Sequence, residues 1–425
     1  MLDILFHIPR EIGGLPVFGV GLLLAAWCLF GLILLVVVAR RVGLGSELAS
    51  YVPLLVLVAA AIVWLLPRLC DGQGVPIRGY GTMLLVAIVS ATSLLAWRAK
   101  RVGLDPDLMI SMVFWMFVTG IVGARLFYVI EYWPAFHKPT LGETIATIVN
   151  FSEGGLVVYG SLAAGLAGMV LFIRKHRLPM LAVCDLVAPS LLLGLAIGRI
   201  GCLAHGCCFG GPSDVPWAIT FPPGSPVYEQ QLARGQLWGF ATHADPAAAP
   251  EVTWIAADSP ADRAGLRVGD RLARAGGHAV RNTTDVALQL RDAVAVQEPI
   301  RLETQDGRTV QLVASPPPAR SRPVHPTQIY SAINALVIFL FLLAYAPFRR
   351  RDGEMFLLML TIYPITRFLL EAIRTDEGSV LGTGLSISQN LSFLILLAIA
   401  ALWIYILRRP RGTALPASPE ILQHG

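Results

Sequence analysis

The chain has 425 residues, 55% of them hydrophobic and only 14% charged, and its mean hydropathy of +0.65 is too high for a soluble globule of ordinary composition. A formal charge of +5 would suggest nucleic acid in a soluble chain, but here Lys and Arg fall in short clusters between apolar spans, which is how a chain is oriented in a membrane. Nucleic acid is therefore not an expected partner, and the composition describes a polytopic membrane protein.

The first apolar run, Pro16 to Val38, is long enough to span and ends in Arg40-Arg41 without a small-residue cleavage site, so it is expected to stay as an anchor. Further runs of spanning length fall at about 51–67, 80–97, 108–131, 155–173, 181–198, 329–348, 354–373 and 386–407, which makes nine predicted helices. Basic clusters follow the first, third, fifth, seventh and ninth: Arg40 and Arg41; Arg98, Lys100 and Arg101; Arg174, Lys175 and Arg177; Arg349 to Arg351; Arg408, Arg409 and Arg411. Alternate junctions are basic, which predicts the N-terminus outside and the C-terminus in the cytoplasm.

With that topology, Tyr80, Arg125, the stretch Gly198 to Gly211, His325, Arg367 and Arg374 lie at or near outer helix ends. The stretch Gly198-Arg199-Ile200-Gly201-Cys202-Leu203-Ala204-His205-Gly206-Cys207-Cys208-Phe209-Gly210-Gly211 follows an apolar span without a break. Its glycines allow backbone to approach a ligand closely. Arg199 either faces a polar cavity or snorkels to the headgroups. Farther on, Arg367, Glu371 and Arg374 recur at i, i+4 and i+7, with Tyr363 one turn earlier, and so share one helix face. Glu371 neutralises both arginines as a structural pair on one reading. On the other, one positive charge is left over for an anionic ligand to complete.

Between Gly211 and Pro323 the composition becomes that of a soluble domain, so 212–322 reads as an extramembrane insertion. The run Glu251 to Leu272 reads as strand, Ser259-Pro260 turn with a short helix, Gly269-Asp270 turn and strand; a helical pattern at Thr284 to Ala293 and a hairpin at Arg301 to Val310 follow. Carrying Ser259-Pro260-Ala261, Ala264-Gly265-Leu266 and Gly269-Asp270, the segment at about 250–315 resembles a bacterial PDZ domain. That resemblance implies an extracytoplasmic peptide as a possible ligand; a packing or spacer role is the alternative. Pro316-Pro317-Pro318 marks a stiff exit linker.

No H-E-x-x-H, G-x-x-x-x-G-K-[ST] or G-x-S-x-G occurs. Cys202, His205, Cys207 and Cys208 offer zinc ligands in principle, although adjacent cysteines rarely both reach one tetrahedral ion. A disulfide within the stretch, or from it to Cys70, is the other use of these thiols in an oxidising compartment. What remains is an outer-leaflet cavity lined by arginines, tyrosines and glycines, suited to the phosphate of an anionic phospholipid.

Six motifs, in this order, carry a further resemblance: Arg78-Gly79-Tyr80-Gly81; Gly123-Ala124-Arg125-Leu126; Gly154-Gly155-Leu156-Val157-Val158-Tyr159-Gly160; Gly198-Arg199-Ile200-Gly201 with Gly210; His325-Pro326-Thr327-Gln328-Ile329-Tyr330; and Tyr363, Arg367, Glu371 and Arg374. Together they make the chain similar to the prolipoprotein diacylglyceryl transferase family. The resemblance implies an all-α polytopic membrane core at 71–211 and 323–410, preceded by two extra helices in 1–70, interrupted by the small α+β insertion, and followed by a cytoplasmic tail at 411–425. It implies residence in the bacterial inner membrane, phosphatidylglycerol as donor, prolipoprotein signal peptides as acceptors, and no cofactor. It further implies Arg199, Arg367 and Arg374 as phosphate-holding cations with Arg125 as a further candidate, Tyr159 for thiol activation or orientation, and Tyr80, Tyr363, His325 and Glu371 lining the cavity. Gly154, Gly155 and Gly210 would admit substrate to the backbone. This chain departs from the family at Cys202, where Asn is common, at Cys207, where Glu is common, and at Tyr159, where His is frequent. Those departures keep a second class open, a lipid-binding scaffold that gathers extracytoplasmic clients, and a third in which the acceptor differs.

Overall fold

A computed structural model describes residues 4–42, 46–150, 155, 157–242, 249–296, 299–312, 318–374 and 385–415. The chain starts with a strand that the sequence reading did not foresee: β1 (Ile4–Pro9) pairs antiparallel with β4 (Gly74–Arg78), His7 opposite Pro76. Between them lie the small hairpin β2 (Glu11–Ile12) and β3 (Leu15–Pro16), then α1 (Leu22–Val42) and α2 (Ser46–Ala60), which continues through tighter and wider turns to Leu69. A helix and its return bring the chain back to the side it left, which is why two strands so distant in sequence can meet.

The core begins with α3 (Gly79–Arg101) and α4 (Pro106–Glu131), the latter opened by Asp105, whose side chain accepts from the Asp107 N–H at 2.9 Å. Short helices α5 (Trp133–Phe136) and α6 (Leu141–Val149) lead to α7 (Val158–Lys175) and α8 (Met180–His205). In lipid there is no hydrophobic drive between helices, so small residues that let backbones touch decide which helices pair. That is the basis of the α4–α7 pair: a Cβ on Gly160 would lie 2.4 Å from the Gly123 carbonyl oxygen, and one on Gly123 would lie 2.1 Å from Ala164 Cβ. Large apolar side chains such as Leu85, Phe114, Ile130 and Leu394 instead stay exposed around the bundle, a surface that only lipid covers cheaply.

Helix α8 is the central element. It packs on α3, on α12 (Thr327–Tyr345) and on α13 (Glu354–Glu371), while α14 (Ile387–Arg408) lies against α13. Near its start, Asp185 is fully buried and accepts from the Gly353 and Phe356 N–H groups at 2.8 and 2.9 Å, with the Arg349 guanidinium 3.4 Å away. Arg98 of α3 donates to the Leu186 carbonyl at 2.8 Å in the same place. A buried carboxylate is tolerated only when so surrounded.

Among the described residues eight helices are long and apolar enough to cross a membrane, from Leu22–Arg40 to Ser388–Arg408, against the nine expected. The expected span outside this count is α13, a helix of 18 residues that carries Glu354, Arg367 and Glu371.

The insertion builds its own core. A four-stranded sheet runs β10 (Thr309–Leu312), β9 (Ile300–Thr304), β7 (Leu272–Ala275), β8 (His278–Ala279); β5 (Phe240–Thr242) pairs with β6 (Val252–Ile255), and α11 (Thr283–Val296) covers the sheet. The Ser259 hydroxyl caps α10 (Pro260–Arg263) by accepting from Asp262 N–H, and the buried Asp270 closes its turn by accepting from Arg267 N–H at 2.8 Å and pairing with Arg308. The core is wider than the 250–315 expected of a module. Tyr228 and Leu232 of α9 (Pro226–Ala233), with Leu237, Trp238 and Phe240, are buried in the same cluster as Leu272, Leu290 and Leu302. The two ends of the insertion are tied together where they leave the membrane core: Ser321 N–H donates to Phe221 O and Phe221 N–H to Ser321 Oγ, each at 2.8 Å.

Candidate active site

The glycine- and cysteine-rich stretch forms where α8 stops. Gly206 takes the left-handed conformation at φ 83°, its N–H and that of Cys207 both donate to Cys202 O, and the chain reverses. A side chain at Gly206 would meet Phe221 at 2.9 Å as well as the conformational penalty, so glycine is required there. The turn then knits three distant segments. Gln328 Nε2 and Thr327 Oγ1, both buried at the start of α12, donate to the carbonyls of Cys207 and Cys208 at 2.7 Å each. Gly210 N–H donates to His325 O and His325 N–H to Gly211 O, while Gly211 N–H reaches Ile373 O, all at 3.0 Å, and Gly210 bridges Arg374 beyond the end of α13. His325 itself is half-buried, its Nδ1 3.4 Å from the Tyr330 hydroxyl, which also accepts from Trp217 Nε1.

On this frame the charged residues gather. Glu371 Oε2 lies 2.7 Å from Arg367 Nη1 and 3.6 Å from Arg374 Nη1, and all three side chains are largely buried. Arg367 also donates to Ser388 Oγ of α14 at 3.2 Å. Arg199, on the last turns of α8, interacts with the Tyr363 hydroxyl and lies within electrostatic range of Cys202 and Cys208; Arg367 is in turn within range of Arg199, Arg374 and Tyr363. Tyr80 reaches the group because α3 and α8 touch at Gly201, where a Cβ would sit 3.1 Å from Met83 Cβ; its ring lies 5.9 Å from that of His205. The shared face expected for Tyr363, Arg367, Glu371 and Arg374 is thus joined by Arg199, Tyr80, Gly210 and His325. Among the described residues, Arg199, Arg367, Arg374 and Glu371 thus bring three guanidiniums and one carboxylate together largely out of bulk water.

Three expected members go elsewhere. Arg125 was expected among the phosphate-holding cations, but its guanidinium is committed to backbone: it donates to Ile148 O at 2.8 Å, Thr147 O at 3.0 Å, Asn150 O at 2.6 Å and Gly155 O at 3.1 Å, with the Phe136 ring 5.1 Å away. It positions the segment after α6. Tyr159 and Gly155 line a cleft of about 660 Å³ with Phe127, Tyr128, Glu131, Tyr132 and Val157, none of which belongs to the arginine group. Gly154 lies outside the described residues. The sequence reading gave no role to Thr327 and Gln328 as anchors of the turn, nor to Ser388; their signal, hydroxyl and amide groups at the starts of apolar helices, is common to many caps.

The sequence matches the family model described as prolipoprotein diacylglyceryl transferase over residues 67–405. The chain belongs to that family. It is 34% identical to a phosphatidylglycerol–prolipoprotein diacylglyceryl transferase of Rhodopirellula baltica over 457 aligned residues, which cover 96% of this chain and 89% of the relative. A protein of the same name numbered 2 in Clostridium perfringens is 25% identical, over 80% of this chain and 94% of its own length. A relative of the same name in Synechocystis is 32% identical over 35% of this chain, and the match spans about half, 51%, of that relative. The arginine group, the Gly210 turn and the Arg125 anchor all fall inside the matched residues, whereas α1 and α2 precede them.

Proposed function

We propose that this chain transfers the diacylglyceryl group of phosphatidylglycerol to the lipobox cysteine of a prolipoprotein signal peptide. The observation that carries the proposal is the pairing of Arg367 and Arg374 with Glu371 at the glycine turn, with Arg199 within electrostatic range of Arg367. In the reaction the acceptor thiol gives up its proton, the thiolate sulfur forms a bond to the glycerol carbon, and the carbon–oxygen bond to phosphate breaks, releasing glycerol phosphate. Charge accumulates on the leaving phosphate as that bond opens. Guanidiniums fixed by Glu371 and Tyr363 are in place for it and need not reorganise at the moment of reaction. The half-buried His325 and the exposed Tyr80, on the rim of the same turn, line the path of the acceptor. Tyr159, in the separate cleft beside Gly155, orients the signal peptide.

We further propose that α13 is a ninth crossing. Nine crossings put the two termini on opposite sides, and the basic clusters at alternate junctions favour the N-terminus outside and the C-terminus in the cytoplasm of the bacterial inner membrane, with the arginine group facing the outer leaflet. The insertion would then be extracytoplasmic, and the order strand, short capped helix, strand, helix, hairpin supports a PDZ-like module that takes an extended peptide from a client precursor. The deciding experiment incubates purified protein with phosphatidylglycerol labelled in the diacylglyceryl part and a lipobox peptide. Label appearing on the peptide thiol, with glycerol phosphate released in equal amount, is the expected result. Lipid binding without transfer would leave a scaffold instead.

A further inference from the structure

Three thiols lie at the turn, and the transfer chemistry uses none of them. The sulfurs of Cys202, Cys207 and Cys208 all lie within 4.8 Å of one another, half-buried, and all three are free thiols. We propose that they form a binding site for a thiophilic d¹⁰ metal ion, zinc or cuprous copper.

The spacing explains how residues at 202, 207 and 208 converge. The helix delivers Cys202, the left-handed Gly206 turns the chain so that Cys207 N–H comes back to Cys202 O at 3.2 Å, and Cys208, itself at φ 57°, swings its side chain toward the other two. A non-glycine residue in that conformation is uncommon and needs support. The support is the pair of 2.7 Å hydrogen bonds from Thr327 and Gln328 to the Cys208 and Cys207 carbonyls. The site is therefore built from outside, by buried groups that do not themselves bind the ion, as second-shell residues of metal sites are.

Size and charge agree with the assignment. Three sulfurs around an ion at a metal–sulfur distance of about 2.3 Å stand roughly 4.0 Å apart in a plane, so binding needs a closure of less than about an ångström from the present spacing. An all-sulfur donor set selects soft ions over magnesium or calcium. Three thiols and one zinc ion release three protons and leave a complex of charge −1; cuprous copper leaves −2. A cation beside arginines is ordinarily disfavoured, but this loaded site is an anion, and Arg199 and Arg374 lie within electrostatic range of Cys208 to balance it.

The test reads bound metal, not lipid transfer, so its outcome is independent of the proposed reaction. Full-length protein, reduced in detergent, is exposed to one of the two ions, desalted and analysed by elemental mass spectrometry, and thiol alkylation is mapped by peptide mass spectrometry. One ion per chain is expected, with Cys202, Cys207 and Cys208 protected from alkylation and Cys28 and Cys70 not. Cys207→Ser and Cys208→Ser should lose the ion, Cys70→Ser should keep it, and Thr327→Val, with every ligand intact, should weaken binding by about 10-fold or more. Comparing zinc with cuprous copper at equal free concentration identifies the better occupant. Retention of no ion by the reduced wild-type protein would overturn the proposal, as would unchanged retention by both serine variants. A disulfide among these three cysteines in protein isolated without reductant, persisting when the ion is supplied, would overturn it too.

Discussion

Gly210 and Arg374 pair through backbone, an isolated antiparallel bridge between the turn after α8 and the end of α13. The bridge means that the guanidinium at 374 and the glycine turn move together, and that the turn is packed to its limit. A Cβ on Gly210 would lie 2.6 Å from His325 Cβ and 2.9 Å from Thr327 Cγ2.

Gly210→Ala should therefore push the turn away from α12 and misplace Arg374. Overpacking of this kind costs about 1–3 kcal/mol, and the transfer rate should fall by more than the melting temperature suggests. Gly198→Ala is the comparison, since nothing lies within 4 Å of a Cβ there and alanine favours a helix. Equal activity of the two variants would contradict the argument.

Arg199→Ala should lower transfer by about 10²–10³-fold, the usual cost of one donor to developing charge. Arg199→Lys should recover only part of it, because an ammonium lacks the planar fork that grips two phosphate oxygens. Initial rates at saturating phosphatidylglycerol decide this, and full activity in the alanine variant would remove Arg199 from the phosphate site.

Where the insertion is cut should matter more than how much is removed. Replacing 251–315 takes away Leu272, Leu290 and Leu302 but leaves Tyr228, Trp238 and Phe240 with their core partners gone, and that variant should aggregate. Replacing 222–320 by a short Gly/Ser linker keeps the Phe221–Ser321 tie and should leave turnover of a small lipobox peptide largely intact. Size-exclusion profiles and peptide turnover in one preparation separate the two. A monodisperse but inactive 222–320 variant would place part of the catalytic machinery in the insertion.

At the N-terminal strand pair the Asp71 carboxyl accepts from the Gln73 and Gly74 N–H groups at 2.8 and 3.0 Å and lies 3.0 Å from His7 Nε2. These contacts, the Gln73 N–H above all, hold its pKa below the ordinary carboxylate value in spite of some desolvation. A carboxyl depressed in the folded state adds stability above its unfolded pKa of about 3.9 and loses it as pH falls through the lower folded value. The β1–β4 pairing should hold at neutral pH and loosen in that acidic window, and Asp71→Asn should flatten the dependence. Amide resonances of labelled Ile4 and Ile8 in detergent check it.

The apolar spans were legible because membrane helices need length and hydrophobicity and little else, and Arg199, Arg367 and Arg374 were legible because a charge within such a run or at its very end is costly. Arg125 shows the limit of that reasoning. Its charge was visible, but the carbonyls it serves come from a segment more than 20 residues later, and nothing local distinguishes a guanidinium that holds phosphate from one that holds backbone. Asp185 passed unremarked in the sixth apolar run because its partners, Gly353 and Phe356, lie at the start of another helix. The strand Ile4–Pro9 was missed for the same reason, its partner lying across two helices. Helix α9 was read as part of the insertion but not of the PDZ-like segment at about 250–315, because the chain between it and β6 is rich in alanine and proline and looks like a boundary.

That strand pair also has a consequence in time. As the chain leaves the ribosome, residues 4–9 have nothing to pair with until residues 74–78 have been made, so α1 and α2 have already met the bilayer when the ladder can close. The ladder closes equally well whichever way the helix pair went in, since out and back returns the chain to its starting side in both cases. It therefore cannot select an orientation; it can only fasten whichever one the helix pair has taken.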